Sequence, residues 1–463
     1  MRLTALITAL AIAGCATVPD IDATKLPVTP AAFKESNAHW TVAQPAAAAT
    51  RGEWWKVFAD PKLDELVARA DNANTSIQVA AARLAQARAI ARLTDADRWP
   101  QLSVGAQAGR FDGIVNGIGG PARNFGAAGA NLAYETDLFG KLARASDAAT
   151  LDAQSRASLL QSTRLLVEAD VAQTYLELRA LDVERALVRD TVIAYRGTLD
   201  LTERRFRAGD VAELDVARAR TEVASTESQL LSLDRRRAAL ENALAVLVGE
   251  AASNFTLAEA DWNTALPVIP AGVPSTVLTR RPDVSAAQLS MLAAQQRVGA
   301  AKAAWFPDLS LTATGGYASS DLSDLFKWSA RAWGVGALLS LPVIDGGRRA
   351  AGVANADAQL DEAVANYREQ VLVAFRDVED ELAELRLLAD QSQAQARAVD
   401  SASRATALSD SRYRNGLVSQ LELLDARRSE LLNRRAALQV KSAQYQATVG
   451  LVRALGGGWG NAT

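Results

Sequence analysis

Few residues in this chain could do covalent chemistry. In 463 residues there is one cysteine, Cys15, and one histidine, His39. Disulfides need two thiols, a Cys/His zinc site needs several ligands, and a Ser or Cys nucleophile needs a base, so none of these has its material here. The exception would be recruitment of His39, which stands in a polar, Ala/Pro-rich stretch. No Gly-rich phosphate loop or nucleophile elbow occurs. Carboxylates remain: 53 Asp and Glu against 50 Lys and Arg, most of them at helical spacing beside arginines, as on solvated helix faces. Two groups differ, because they sit in twin segments, ERRFRAGDVAELDVARAR at 203–220 and SRYRNGLVSQLELLDARR at 411–428. In the second, Leu421 and Asp425 lie one helical turn apart with Glu422 between them; in the first, Asp215 takes the place of Glu422. The chemistry open to such groups is electrostatic: capping, ion pairing, or setting a local potential.

The elements that must position them follow from spacing. Gly209 and Gly416 suit the left-handed residue that ends a helix. Ser419-x-x-Glu422 and Asp210-x-x-Glu213 both have the spacing of a capping box, in which a side-chain oxygen satisfies the N–H groups of a new helix. Glu422 fits that role or a functional one. Asp425 lies beyond the first turn, so capping does not explain it.

The twin segments belong to a larger duplication. Adding 207 to a position in the first half gives its counterpart: Trp99-Pro100 meets Phe306-Pro307, Leu102-Ser103 meets Leu309-Ser310, Gly140 meets Gly347, Phe206 meets Tyr413, Gly209 meets Gly416 and Leu214 meets Leu421. One offset without net insertion marks a tandem repeat, with units at 62–249 and 275–456. Each unit reads as helix, two strands, very long helix, helix. The first helix spans about 62–97, broken near Asn72–Asn74, and its counterpart about 282–304, where Pro282 and Asp283 suit a helix start. Strands are expected at about 100–109, 124–138, 308–317 and 330–343. They alternate Leu102, Val104, Ala106 against Ser103, Gly105, Gln107, the weak period-two signature of a membrane β-strand. Trp99, Trp305, Phe306, Trp328 and Trp333 flank them where an aromatic girdle would lie. The alternative is a four-stranded soluble sheet, which these Ile/Val-poor strands suit badly.

Lys141 to Arg207 and Arg348 to Arg414 contain no proline, and each would make a helix roughly 100 Å long. Apolar residues recur at heptad spacing at Leu230, Leu233, Leu240, Leu244, Leu247 and at Leu421, Leu424, Leu431, Leu438, Tyr445, Val449, Val452, with Arg428, Arg435 and Ser442 interrupting the second seam. Such helices must lie against one another. Four strands cannot close a barrel, and an open edge in lipid leaves N–H and C=O groups unpaired, so copies of the chain must supply the rest. Two copies would give eight strands, a barrel filled by its own side chains; three would give twelve, which leave a hole.

The net charge of −3, without any basic tract, argues against nucleic acid. The N-terminus, MRLTALITALAIAGCATVPD, has a basic Arg2 and an apolar run too short to span a bilayer, as in a signal peptide over 1–14. Small residues before the sole cysteine match a bacterial lipobox, which would make Cys15 a lipidation site; the alternative is a plain signal peptide. Ala16, not Asp, follows, as in lipoproteins addressed to the outer membrane.

The lipobox IAGC, the duplicated W/F-P-x-L strand starts, the RRPD of 280–283 and the paired [FY]-R-x-G turns at 206–209 and 413–416 together resemble the TolC-type outer-membrane efflux factors, in their OprM/NodT-like lipoprotein branch. The resemblance covers essentially the whole mature chain. It implies a mainly α fold with a membrane β part, assembled as a homotrimer with a twelve-stranded β-barrel in the outer membrane and a coiled-coil α-barrel across the periplasm. It implies a passive duct and not an enzyme, fed by an inner-membrane RND pump through a periplasmic adaptor. The only attached groups expected are the diacylglycerol and N-acyl chain on Cys15. Residues 15–61, 250–274 and 457–463 would form the lipidated segment, an equatorial belt and a tail. By the same resemblance Leu421, Glu422 and Asp425 would ring a periplasmic gate, and Asp215 and Tyr413 would lock adjacent coils. The locking arginine of some relatives is Val418 here, so that particular charge pair is missing. Other readings are a poreless coiled-coil lipoprotein, a type I secretion duct, and an enzyme built on His39.

Overall fold

The computed structural model describes residues 19–21, 24, 26–28, 30, 33–35, 52–111, 123–262, 264, 266–267 and 280–457. Cys15 and His39, with the signal-peptide and lipidation readings that rest on the N-terminus, lie outside them. The elements run α1 (Pro61–Ala73), α2 (Thr75–Ala96), β1 (Gln101–Phe111), β2 (Arg123–Thr136), α3 (Lys141–Arg207), α4 (Glu213–Leu247), α5 (Pro282–Ala303), β3 (Asp308–Ser319), β4 (Arg331–Ser340), α6 (Arg348–Arg414) and α7 (Gln420–Ala454). The duplication is visible in their ends: α2 and α5, α3 and α6, and α4 and α7 begin and end 207 residues apart. The chain forms two compact units, one of 1–27, 82–158 and 285–370, the other of 28–81, 159–284 and 371–463.

The first unit holds a four-stranded antiparallel sheet in the order β1-β2-β3-β4. Its register sorts the side chains. Leu102, Leu132, Ala313 and Val335 line up across one face, as do Val104, Ala130, Gly315 and Trp333. The other face carries Ser103, Asn131 and Thr314, and Gln101, Ala133 and Thr312. An apolar and a polar face on one thin sheet are what a lipid-facing and a water-facing surface require. These two apolar rows are bare: Val104 is 82% exposed, Val335 77% and Trp333 80%. Gly129 and Gly316 face each other across β2 and β3, where a Cβ on either would meet the neighbouring backbone within normal contact distance. The polar side therefore stays small at that crossing.

At the helical end of the sheet, Asp137 starts α3 by accepting from Leu142 N–H (3.0 Å) and Ala143 N–H (2.7 Å). Asp345 does the same for α6, accepting from Gly347 and Arg349 N–H at 3.0 and 3.2 Å. Phe139 stacks on Phe306, with ring centroids 4.7 Å apart, and the Arg349 guanidinium lies over Trp305.

In the second unit α3, α4, α6 and α7 pack along their lengths. Leu181, Val188, Leu233 and Leu431 form one buried cluster, Tyr195, Val223 and Leu424 a second, and Leu388, Val440 and Ala447 a third. The arginines that interrupt the α7 seam are paired: Arg435 donates to Glu184 (2.7 Å) and Gln229 (3.1 Å). Leu421, which is in phase with the seam, is instead 43% exposed; the buried positions beside it are Leu423 and Leu424. A helix of 3.6 residues per turn drifts from a heptad, and here the drift turns Leu421 outward. The RRPD motif is a buried tie. Arg281 donates to Asp283, to Asp377 on α6 (3.1 Å) and to the Ala454 carbonyl closing α7 (3.3 Å). Burial opposes ionisation of Asp283, but the Arg281 hydrogen bond and charge win and hold its carboxyl below the usual range. Segment 257–259 is tied to α3 and α4 through Arg179, Arg185, Arg237 and Glu241, which bond the Ala258 carbonyl, Glu259, the Leu257 carbonyl and Leu257 N–H.

The residues before α1 also dock here. Trp54 donates from Nε1 to Glu168 at 2.9 Å, and burial pushes that carboxyl up to about 7 against the effect of this bond. A carboxyl raised in the folded chain holds its proton between about pH 4.5 and 7, where the unfolded chain has lost it. Its stabilisation is complete below that window and is lost as pH rises through it. Thermal melts should fall between pH 5 and pH 8, and Glu168→Gln, which still accepts from Trp54, should flatten the fall by about 2 kcal/mol after allowance for solvent screening. Parallel pH slopes in both proteins would contradict this.

Candidate functional site

The twin segments form the two turns between α3 and α4 and between α6 and α7, both in the second unit. Each long helix ends by the same device. Gly209 has φ +83°, its N–H bonds the Phe206 carbonyl, and Asp210 N–H bonds the Arg205 carbonyl. Gly416 has φ +72°, with Gly416 N–H on Tyr413 and Leu417 N–H on Arg412. These bond pairs satisfy the last carbonyls of the helix and need a residue that accepts positive φ.

The turns then diverge. Ser419 caps α7, its hydroxyl accepting from Glu422 N–H at 3.3 Å. At the first turn the expected box from Asp210 does not form: the cap of α4 is Ala212, which has no side chain to offer. Asp210 is already used by the turn, through its N–H, and α4 begins three residues later at Glu213.

Leu421, Glu422 and Asp425 are all exposed on the α7 start, and Leu417 before them is 73% exposed. Asp425 is not a free charge. Arg428, one turn on, bonds it at 3.3 Å and bonds Glu222 of α4 as well. The Glu222 bond, Coulombic attraction and Asp425 raise the Arg428 pKa further and keep the guanidinium charged. Arg427 donates to Thr198 of α3 (2.6 Å) and Asp410 of α6 (2.9 Å). Of the two expected locking residues, Tyr413 is buried at 6% exposure, with the Arg205 guanidinium of α3 5.1 Å above its ring and its hydroxyl unbonded. Asp215 faces Arg218 at 3.9 Å. The two therefore reach different partners, one across helices and one along its own.

Sequence reasoning missed Glu222, Arg427, Arg428, Thr198 and Asp410. The signal was present: an arginine at a seam position, as at Arg428, calls for a carboxylate opposite. The duplication sorts these contacts. Arg427–Asp410 has its counterpart 207 residues earlier in Arg220–Glu203 (2.7 Å), each pairing the two helices of one hairpin. Arg428 and Glu222 instead match Thr221 and Ser429, so this bond between the hairpins has no twin.

Among the described residues no group of three or more His, Cys, Asp or Glu is placed to hold a metal ion, and no helix is long and apolar enough to cross a membrane. The family profile described as "Outer membrane efflux protein" matches residues 66–250 and 273–457. The chain is 32% identical over 452 residues to "Cation efflux system protein CusC" of Escherichia coli O6:H1, covering 97% of both chains. It is 32% identical over 459 residues to "Antibiotic efflux pump outer membrane protein ArpC" of Pseudomonas putida, covering 98% of this chain and 94% of that one. Its fold superposes on the outer-membrane channel OprN with a TM-score of 0.89 at 29% identity, covering 96% of this chain and all of the other.

Since Gly416 needs a left-handed backbone, Gly416→Ala should cost about 1 kcal/mol. The loss should appear as faster amide exchange at 413–424, and unchanged exchange there would show that the turn tolerates a Cβ.

Proposed function

The chain belongs to the outer membrane efflux protein family, whose members are channels rather than enzymes, and from that premise we propose that it is the passive outer-membrane duct of a tripartite efflux system. One observation carries the reading: a sheet with an apolar face exposed along Leu102, Val104, Trp333 and Val335, a polar face, and edges at β1 and β4 that no described strand pairs. Unpaired strand edges cannot face hydrocarbon, so the sheet must be completed by copies of itself. Three copies of four strands give a twelve-stranded barrel wide enough for an aqueous path; two give eight, which side chains would fill. A poreless periplasmic tether would have no use for such a sheet. Energy would come from an inner-membrane RND pump acting through a periplasmic adaptor, and lipidation of Cys15 would add an anchor.

Cargo follows from the relatives only in outline. CusC is named for cation efflux and ArpC for antibiotic efflux, which supports small molecules or ions over secreted proteins. The proposed units are the repeats at 62–249 and 275–456, with 15–61, 250–274 and 457–463 around them. Purification in detergent should give a trimer, and a water-soluble monomer would end the duct reading.

The α7 start is the proposed gate. Glu222 and Asp425 set two negative charges against the one positive charge of Arg428, leaving each copy one net negative charge there. Brought together at a constriction, these charges would favour cations. Asp425→Ala should raise single-channel conductance in planar bilayers and lower cation preference. Arg428→Ala should also raise conductance, by freeing α7 from α4, but should strengthen cation preference because two carboxylates lose their counter-charge. The opposite signs are the test; selectivity unmoved in both variants would remove the gate assignment.

A further inference from the structure

The β3–β4 connection, residues 320–330, is not a simple hairpin loop. It contains two short 3-10 turns, Leu322–Asp324 and Trp328–Ala330, and it folds back over the sheet. The register says over which face. Gly126 pairs with Ala108 and Ser319, which places its missing side chain on the face of Leu132, Leu102 and Trp333. A Cβ there would come 2.7 Å from the Leu322 side chain and 3.8 Å from that of Leu325, so both leucines rest on the apolar face. Tyr317 and Arg331, paired with each other and with Ala128 in the same row, share it. Phe326 packs edge-on against Tyr317 at 5.8 Å. The Arg331 guanidinium lies 3.3 Å above the Trp328 ring and its Nε donates to the Trp328 carbonyl at 2.9 Å.

The flap buries Leu325 but leaves Leu322, Phe326 and Trp328 exposed, continuous with exposed Trp333. The β3–β4 connection lies at the end of the sheet away from α5 and α6, because the strand pair leaves one helix and returns to the other. With helices on the periplasmic side, the flap lies at the outer leaflet. Among the described residues nothing covers these aromatics, and two cations border them. Arg331 keeps its terminal nitrogens free of the Trp328 bond, and Lys327 is held by Asp324 at 2.5 Å in an exposed pair, the kind that exchanges partners readily. Exposed apolar rings bordered by long basic side chains are the composition of a membrane interface, where such side chains reach headgroups.

We propose that residues 320–330 form a lipid-binding flap, with Leu322, Phe326 and Trp328 set among the acyl chains and Arg331 and Lys327 holding a phosphate of the glycolipid of the outer leaflet. The proposal rests on the outer-membrane reading of the sheet. Asp321 and Asp324 set its limits: they offset the two cations, so the site recognises a phosphate locally and does not attract anions at long range.

The test is amide exchange at 320–330 in the full-length protein, in detergent and in nanodiscs. The discs hold neutral phosphatidylcholine alone, or with diphosphorylated lipid A, dephosphorylated lipid A, or phosphatidylglycerol. Exchange should slow about tenfold on entering any bilayer and further only with diphosphorylated lipid A. Lys327→Gln with Arg331→Gln should erase the second step alone, and Phe326→Ser with Trp328→Ser should erase both. Equal exchange in every disc would overturn the phosphate site, as would an equal effect of phosphatidylglycerol. Slow exchange already present in detergent would overturn the flap itself, because a neighbouring copy would then cover it. Single-channel conductance of the same variants separates the two readings: unchanged conductance keeps the duct whatever the flap does.

Discussion

Backbone amides in hydrocarbon have no water to bond, and this constraint orders the rest of the molecule. β1 and β4 each show one edge that no described strand of the chain pairs. A soluble sheet would blunt such edges with charge or proline, or cover them. Here they carry Leu102, Val104, Val335 and Leu339, exposed and uncharged. Their composition suits the proposed completion by a further strand in a lipid phase. The poverty of Ile and Val in these strands then has a reason, because Gly129 and Gly316 must let neighbouring backbones close together on the polar side.

The helices obey a different economy. Lipid contributes nothing to them, and long amphipathic helices are stabilised by packing rather than by propensity. Apolar clusters along α3, α4, α6 and α7 supply that packing, and the arginines that break the seams are each answered, as Arg435 is by Glu184 and Gln229. Leaving one such partner out would strand a buried charge, so these pairs fix the register of helices that Ala and Leu alone would let slide. Arg281 does the same at the end of α7, joining the start of α5 to α6.

Much of this was legible because repetition and period are properties of sequence. The offset of 207 located α3 against α6 and α4 against α7, and the break at Asn74 and the positive-φ glycines followed from residue type. The faces of the sheet followed from alternation. What spacing could not give was rotation and choice of partner. Leu421 lay in phase with the seam yet turned outward, since a heptad drifts against a helix of 3.6 residues per turn. Asp210 had capping-box spacing, but its N–H was already committed to closing α3. Asp425 finds its counter-ion in Arg428, which heptad spacing shows only as an interruption of the seam. The folded β3–β4 flap had no periodic signal at all; only Gly126, a glycine where a side chain would collide with Leu322, hinted at it.

The duplication also bears on how the proposed gate would move. Contacts present in both repeats, such as Arg220–Glu203 and Arg427–Asp410, hold each hairpin together as a body. Schellman closure at Gly209 and Gly416 adds a rigid tip to each. Arg428 against Glu222 is a bond between hairpins that the repeats do not share, since the duplicated positions are Thr221 and Ser429. That bond is half-exposed on the arginine side, so water can replace it at little cost, whereas parting Arg435 from Glu184 deeper along the same helices would strand a buried charge. Strength therefore rises away from the tip. A hairpin that swings under this gradient opens from its free end first, with Asp425 and Leu421 carried on the part that moves farthest.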